Sequence, residues 1–296
     1  MIAASPPESL APGLRRLIAA NPSPMTERGT NIYLLGTERV TVIDPGPALP
    51  GLVEAILAAL PAGARIERIL VTHSHLDHSP LARPLAVATG APILGFGPSA
   101  AGRSPTMAAL AAAGLAGGGE GVDTGFVPDA TLADGTVLEV DGRPLTALWT
   151  PGHFGNHLAF AWGEALFTGD LVMGWASSLV SPPDGDMAAY MRSLGRLAAQ
   201  GAKRLYPGHG APVEDPAARI DWLAAHRRAR EAAILAALGP EPQTLPAVTR
   251  AVYTDTPAPL LPAAERNVFA HLIDLVERNR AAARPELGTT AGFFRL

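Results

Sequence analysis

The stretch V-T-H-S-H-L-D-H-S-P at residues 71–80 concentrates side chains that can bind a metal. It contains three of the chain's 8 histidines together with a carboxylate, namely His73, His75, Asp77 and His78. The apolar run at 66–71 that precedes it predicts a β-strand. Four ionisable groups at one strand end would repel one another or resist desolvation unless a cation held them together. The alternative, in which each histidine is an ordinary packed or surface residue, does not account for this clustering.

The spacing within this stretch favours two metal positions. On a helix His73 and His75 would point in nearly opposite directions, whereas on an extended segment they share a side. They can therefore bind one ion. Asp77 and His78 lie beyond the strand end, where a turn can direct them to a second ion. The sequence thus predicts a dinuclear site.

Three later segments offer further candidate ligands in similar surroundings. His153 lies in W-T-P-G-H, Asp170 in L-F-T-G-D and His209 in L-Y-P-G-H-G. Each follows a predicted strand and has a glycine next to it. Loops at strand ends, carried on a rigid layered scaffold, commonly form functional sites. The three segments therefore strengthen the prediction of a metal site.

The order of predicted elements indicates an α/β layered fold, because strands and helices alternate along the chain. A long Ala/Gly-rich segment at 98–121 predicts a mobile insertion or lid rather than part of the core. The Gly- and Pro-rich segment at 239–246 predicts a linker. Helices are expected at 248–253 and 263–278, and a terminal hairpin is expected after them. We therefore predict a catalytic domain at 1–238 and a small, mainly helical domain at 239–296.

The segments HSHLDH, TPGH, TGD and PGHG, in this order, resemble the motif series of the metallo-β-lactamase superfamily over about residues 28–215. The resemblance implies a four-layered αβ/βα sandwich with the metals at one edge. It also implies that the first metal binds His73, His75 and His153. The second would bind Asp77, His78 and His209, with Asp170 bridging the two. Asp44, which closes a strand in V-T-V-I-D-P-G, would be a buried acceptor near the metal-binding histidines, although a turn-starting aspartate is the alternative.

The same resemblance implies a hydrolase in which a hydroxide bridging two divalent metals attacks the substrate. Asp77 is the candidate to orient this nucleophile and take its proton. The chain has no cysteine, and its carboxylate ligands make it more similar to glyoxalase II, lactonases and RNA-processing members than to antibiotic-degrading ones. Zinc is the expected metal, with iron or manganese as alternatives. The expected substrate is a small ester, thioester or lactone with an anionic or carbonyl group.

A narrower resemblance extends to the ends of the chain. The segments NPSPMTERGTNIYLLG, HRRAREAAILAAL and AERNVFAHLIDLVERNR are similar to the β-lactamase-like protein 2 branch, which carries a winged-helix-like C-terminal domain. One animal member of that branch is a single-strand endoribonuclease, so cleavage of single-stranded RNA is the alternative function. An iron-dependent oxidoreductase on the same scaffold is a third.

Composition and charge give no support to two broad classes, nucleic-acid binders and membrane-spanning proteins. The formal net charge is −4 and the only lysine is Lys203, so charge does not support nucleic-acid binding. The densest basic run, at 226–230, predicts a solvated helix face. No apolar run is long enough to cross a bilayer, and the first residues do not resemble a signal peptide. We therefore expect a cytoplasmic enzyme, with a homodimer left open.

Overall fold

Two β-sheets form the centre of the fold, and the structure, a computed structural model, describes residues 3–118 and 121–296. The first sheet follows the chain in spatial order and contains β1 Glu8–Ala11, β2 Leu14–Ile18, β3 Asn31–Leu35, β4 Arg39–Ile43, β5 Arg65–Leu70, β6 Ile93–Gly95 and β7 Ala130–Thr131. The second has the order β12-β11-β10-β9-β8 and contains β8 Val137–Val140, β9 Arg143–Trp149, β10 Leu158–Trp162, β11 Ala165–Gly169 and β12 Arg204–Pro207. Both sheets are mixed, since β4 to β7 run parallel and β11 runs parallel to β12.

Helices cover the outer face of each sheet. The helices of the chain are α1 Leu52–Ala58, α2 Ala82–Thr89, α3 Pro105–Ala112, α4 Met187–Ala198, α5 Pro216–Ala237, α6 Leu245–Val252 and α7 Leu261–Glu277. Apolar side chains of α1 and α2 pack on the first sheet, and those of α4 and α5 pack on the second. Within the described ranges, none of these helices is both long and apolar enough to span a bilayer. The cytoplasmic location stays a prediction.

The inner faces of the two sheets pack against each other through large apolar side chains. Tyr33 of the first sheet makes an edge contact with Phe167 of the second, with ring centroids 5.1 Å apart. Phe160 and Leu145 of the second sheet are also fully buried here. Because successive strand residues point to opposite faces, each strand supplies one set of side chains to this layer and another to its helices. The expected four-layered αβ/βα sandwich is confirmed.

The C-terminal part is mainly helical and has a small sheet. Its strands are β13 Gln243–Thr244, β14 Ala281–Arg284 and β15 Gly292–Arg295, arranged as β13-β15-β14. The last two form the terminal hairpin expected from the sequence. Apolar side chains of α6, α7 and β15 share a core with the end of α5, and Phe269 and Phe293 lie at its centre, both fully buried.

The segment after β6 is not the unpacked lid that its composition predicts. It contains α3, whose Met107 and Leu110 are buried in the same core as α6 and α7. The Thr106 hydroxyl donates a hydrogen bond to Glu277, and Arg266 donates to the carbonyl of Ala116 at 2.6 Å. The prediction is therefore wrong for residues 105–112, because apolar contacts with α7 outweigh the weak local signal. Residues 119 and 120 of the predicted insertion lie outside the described residues.

Candidate metal centre and its cavity

The candidate ligands lie where strands end. His73 follows β5, His153 follows β9, Asp170 follows β11 directly, and His209 follows β12. The parallel pairing of β11 with β12 brings Asp170 and His209 to the same sheet edge. All seven predicted ligands are buried, and their ligand atoms form two groups.

The first group contains His73, His75, His153 and Asp170. His75 Nδ1 lies 2.9 Å from His73 Nε2 and 3.0 Å from His153 Nε2. Asp170 Oδ2 lies 3.8 Å from His153 Nε2. Three imidazole nitrogens and a carboxylate oxygen therefore point at one position, as the extended geometry of His73 and His75 predicts.

The second group contains Asp77, His78 and His209. His78 Nε2 and His209 Nε2 are 3.3 Å apart, and Asp77 Oδ2 lies 3.3 and 3.1 Å from them. Asp170 also reaches this group, since its Oδ2 lies 3.3 Å from His209 Nε2 and its Oδ1 lies 3.5 Å from His78 Nε2. Asp170 thus lies between the two groups, which is the geometry a bridging carboxylate requires.

Asp44 contacts the histidine cluster on the side away from the ligand atoms, directly at His78 and through Thr72 at His73. Its Oδ2 lies 2.9 Å from His78 Nδ1, and its two oxygens accept bonds of 2.7 Å from the backbone N–H and the hydroxyl of Thr72. The Thr72 hydroxyl is in turn 3.0 Å from His73 Nδ1. Partners of this kind orient the imidazoles of metal sites. The position agrees with the acceptor role that the resemblance implies, and that role stays a prediction.

Two backbone carbonyls orient two further imidazoles of the cluster. His153 Nδ1 donates to the carbonyl of Leu179 at 2.7 Å, and His209 Nδ1 donates to that of Gly29 at 3.1 Å. In this tautomer Nε2 of each ring keeps its lone pair toward the centre. Neither carbonyl could be identified from the sequence, because both partners lie far along the chain from the histidines.

Two glycines allow the close approaches that the motifs need. A Cβ on Gly208 would lie 2.2 Å from Asp170 Oδ1 and 2.7 Å from His78 Cε1. A Cβ on Gly152 would lie 2.3 Å from the Cα of Tyr190 in α4. Distances this short are not tolerated, so the P-G-H sequences before His153 and His209 serve packing as well as chain direction.

The histidine pKa values shift in opposite directions in the two groups. Burial lowers the pKa of His75 to about 3, so this imidazole of the first group is neutral and its lone pair is free for a metal. Burial also acts to lower the pKa of His209, but the carboxylates of Asp170 and Asp77 outweigh it and raise that pKa to about 10. The second group therefore attracts positive charge.

The donor chemistry and the unpaired atoms fit divalent metal ions. Asp77 Oδ1 and Asp170 Oδ1 are buried and have no hydrogen-bond partner among the described residues. An unpaired buried carboxylate oxygen is costly unless a cation compensates it. Imidazole and carboxylate are common ligands of zinc and are also compatible with iron and manganese. The clusters are therefore suited to a metal site.

The other histidines lie outside the two groups. His157 is buried and contacts Thr150 through Nδ1 at 2.9 Å. His226 and His271 lie on α5 and α7, as expected from their helical patterns. Tyr206 is buried in its strand and stacks on Phe167, with ring centroids 5.2 Å apart, so it belongs to the inter-sheet core.

A cavity of about 350 Å³ opens onto both groups. The metal side of its wall includes His75, Asp77, His153, Asp170 and His209. The opposite side is formed by the loop after β11 and by the C-terminal part, through the residues Met173, Trp175, Ala176, Ser177, Leu179, His226, Arg230, Tyr253, Thr256, Leu260, Ala263, Ala264 and Asn267. Pro24 and Met25 complete it. Apart from the candidate ligands, the described wall is mainly apolar.

Arginines of α5 hold the cavity loop that follows Asp170. Arg219 donates to the carbonyls of Met173 and Ala176, both at 2.6 Å. Arg227 donates to the carbonyl of Ser178 and, at 3.2 Å, to Asn267 Oδ1. Because Leu179 follows Ser178 and orients His153, α5 supports a candidate ligand through this loop.

The basic run at 226–230 is not the solvated helix face predicted for it. Arg227 is only 1% exposed, and Arg230 is half-buried in the cavity wall. The helical spacing could have indicated that Arg227 is buried, because it lies four residues after the buried Leu223 and seven before the buried Ile234, on the same helix face. Only Arg228 and Ala229 of the run are exposed.

Comparison with protein families assigns most of the chain. The model of the "Metallo-beta-lactamase superfamily" matches residues 25–209. The chain belongs to this superfamily. The model of the "Beta-lactamase associated winged helix domain" matches residues 244–288, which confirms the expected winged-helix-like character of the C-terminal part. The two matches lie on either side of the boundary predicted at 238/239, and that boundary stays a prediction.

Individual relatives agree with this assignment. The Beta-lactamase-like protein 2 homolog of Drosophila melanogaster is 31% identical over 280 residues, covering 90% of this chain and 88% of its own. The Atrochrysone carboxyl ACP thioesterase of Aspergillus fumigatus is 32% identical over 239 residues, covering 77% of this chain and 66% of its own. The chain spans only 65% of the length of the Lactamase-like protein adaB of Aspergillus niger, which is 31% identical.

A solved structure has the same fold over nearly the whole chain. The crystal structure of a metallo-beta-lactamase family protein from Thermus thermophilus superposes with a TM-score of 0.76 at 27% sequence identity. The superposition covers 97% of this chain and all of the other. The likeness therefore includes the C-terminal part as well as the sandwich.

Proposed function

We propose that the chain is a dinuclear metal-dependent hydrolase of carboxylic esters, thioesters or lactones. The observation that carries this proposal is the bridging position of Asp170 between two donor groups at the end of a mainly apolar cavity. Such walls suit an apolar acyl group. The name of the thioesterase relative from Aspergillus fumigatus gives independent support for a carbonyl substrate.

The proposed metals are held by His73, His75, His153, Asp77, His78 and His209, with Asp170 shared. When bound, two divalent ions, most simply Zn²⁺, would lower the pKa of a shared water toward neutrality and polarise the substrate carbonyl. The protein's own part is to supply seven donors already oriented before substrate arrives. Asp44, Thr72 and the two carbonyls hold the outer nitrogens of four of the histidines, so these rings need little rearrangement during turnover.

Asp77 is the proposed general base. Its Oδ2 points at His78 and His209 and accepts a 3.3 Å bond from the Thr30 hydroxyl. Its Oδ1 is buried without a partner among the described residues, so this oxygen can accept the proton of the attacking water. The hydroxide so formed adds to the carbonyl carbon, the C–O or C–S bond then breaks, and the leaving oxygen or sulfur takes the proton back from Asp77.

Single-stranded RNA is the alternative substrate. The position of the C-terminal domain favours a small carbonyl substrate instead. Helix α7, part of the matched winged-helix segment, buries most of one face in the C-terminal core and contributes Ala263, Ala264 and Asn267 to the cavity. These side chains shape the pocket beside the candidate metal centre. The described part of this domain thus has a role that does not require nucleic acid.

The test uses metal-loaded protein and four substrates: p-nitrophenyl hexanoate, a hexanoyl thioester of N-acetylcysteamine, a decanolactone and end-labelled single-stranded RNA. We expect hydrolysis of at least one carbonyl substrate, no RNA cleavage, and loss of activity in His73→Ala. Asp77→Asn leaves the first donor group and Asp170 unchanged, so it should keep at least one metal ion per chain, measured by mass spectrometry, while kcat falls by about 100-fold or more. If the wild type cleaves RNA, His73→Ala does not, and no carbonyl substrate is hydrolysed, RNA cleavage becomes the preferred function. Equal activity in His73→Ala would reject both.

A further inference from the structure

Among the described residues that line the cavity, Arg230 is the only arginine or lysine. It lies on α5 and is half-buried. Among the described residues no carboxylate lies within ion-pair distance of it, although Arg278, from the neighbouring α7 region, pairs with Glu231 and Asp274. A cation placed on a mainly apolar wall without a counterion favours the binding of an anion.

The guanidinium of Arg230 uses only some of its N–H donors in contacts with the protein. Nη1 of Arg230 donates to the carbonyl of Val252 at 3.1 Å, and the group lies 4.4 Å from the centre of the Tyr253 ring. A guanidinium carries five N–H donors in a planar fork, so the remaining donors can serve a ligand. Its position over the Tyr253 ring restrains the guanidinium before any ligand binds.

The neighbouring side chains limit what this end of the cavity can bind. His226, one turn before Arg230, stacks on Trp222 with ring centroids 5.1 Å apart. Burial and the adjacent arginines lower the pKa of His226, so this ring is neutral near pH 7. The same wall continues in Leu260, Ala263 and Ala264, which offer apolar contact. Arg230 is therefore a single positive position beside an apolar surface.

We propose that Arg230 binds an anionic group on the acyl part of the substrate, so that the enzyme prefers apolar acyl esters or thioesters that carry a carboxylate. This proposal rests on the proposed hydrolase function and adds the substrate class. The apolar wall buries the acyl body, and the guanidinium fork binds the carboxylate by charge-assisted hydrogen bonds. The metal groups and Arg230 would then hold the two ends of one molecule.

The first test measures binding without turnover. Metal-stripped protein is titrated with anilinonaphthalene sulfonate and with N-phenyl-naphthylamine, which share an apolar body and differ by one anionic group. We expect the sulfonate to bind about 10- to 100-fold more tightly, the range for a charge-assisted hydrogen bond. Arg230→Gln should abolish this ratio and Arg230→Lys should keep part of it. Arg228→Gln, on the exposed face of the same helix, should leave it unchanged.

The second test measures turnover by the metal-loaded enzyme. Mono-p-nitrophenyl adipate and p-nitrophenyl hexanoate have acyl chains of equal length and differ in the terminal carboxylate. Arg230→Gln should raise KM for the adipate ester by about 10- to 100-fold and leave the hexanoate ester unchanged.

The outcomes separate the two proposals. If neither ester is hydrolysed but Arg230→Gln abolishes the preference for the sulfonate, the anion site stands and the ester hydrolase proposal is rejected. A different outcome is that the esters are hydrolysed while Arg230→Gln lowers the affinity for both probes equally and raises KM for both esters equally. In that case Arg230 only supports α6, and the anion site is rejected. An unchanged sulfonate affinity in Arg230→Gln also rejects it.

Discussion

The two sides of the cavity are built from different kinds of sequence. The metal side consists of side chains that follow strands, and short motifs such as T-H-S-H-L-D-H hold several of them together. The facing wall consists of side chains from α5, α7, the segment between α6 and α7 and the loop after β11, which come from distant parts of the chain. The chemistry of the site thus depends on local motifs, whereas the shape of the pocket depends on long-range packing.

The difference also appears in how each side is held. Thr72 and Asp44, which follow the paired strands β5 and β4, bind the histidines directly, and no side chain from the described C-terminal part takes part. The facing wall is held by Arg219 and Arg227, which bind carbonyls of the loop. The two sides meet at Leu179, whose carbonyl binds His153. Mutations can therefore be chosen that damage one side and spare the other.

The largest effect is expected at Asp170, the residue shared by both donor groups. Asp170→Asn keeps the size of the side chain but removes its charge, so both groups lose affinity for a cation. We expect loss of bound metal and a fall in kcat/KM of more than about 100-fold, beyond the 10- to 100-fold typical of a residue that only supports a ligand. Metal content by mass spectrometry and steady-state kinetics measure this.

Asp134→Asn is the matched control for that substitution, because Asp134 pairs with Arg196 at the surface. It should leave both metal content and kcat/KM unchanged. Full metal occupancy in Asp170→Asn would contradict the bridging role.

A second substitution tests whether the facing wall of the cavity can be disrupted without loss of metal from the other side. Phe269 is fully buried in the C-terminal core, 6.3 Å from Phe293 between ring centroids, and Phe269→Ala should lower the free energy of unfolding by about 3–5 kcal/mol. The folded fraction should keep its metal and lose the binding preference assigned to Arg230. Urea denaturation, metal analysis and probe titration measure these three quantities.

Phe160→Ala, in the core between the two sheets, is the matched comparison. It should cost a similar free energy but also reduce metal content, because the strands it supports position the ligands. Equal metal loss in both variants would show that the two sides are not independent.

The smallest effect is expected at His271 of α7, which is 1% exposed. Burial, followed by the nearby Arg227, lowers its pKa to about 3, below the ordinary value of 6.5. The unfolded chain therefore binds a proton between these values that the folded chain does not. Stability is full above pH 6.5 and falls as the pH drops, by about 2 kcal/mol between pH 7 and pH 5 from this residue.

His271→Phe removes that contribution while keeping a ring of similar size. The drop in unfolding free energy from pH 7 to pH 5 should be smaller in the variant than in the wild type by about the same 2 kcal/mol. Denaturant titrations at the two pH values measure it. An identical pH dependence in both proteins would show that the pKa of His271 is the same in the folded and the unfolded chain.

Much of the fold followed from local patterns. The alternation of strands and helices, the helices near 245–252 and 261–277 and the terminal hairpin were all expected, and the family comparison confirms the fold class. Helix α3 was missed, because its Ala-rich sequence has little amphipathic character of its own. Its position depends on Met107 and Leu110 meeting a core formed by residues that follow more than a hundred positions later.

The sequence by itself determined which side chains could meet at the candidate metal centre. A strand end directs neighbouring residues to one edge of a sheet, and that rule is local enough to apply from the motifs alone. Only the tertiary structure decided which groups surround them. The Leu179 carbonyl on His153, the buried Arg227 and the unpaired cation of Arg230 in the described cavity wall all depend on contacts between distant segments. Such contacts follow from how surfaces pack, and a linear pattern of polar and apolar residues does not specify them.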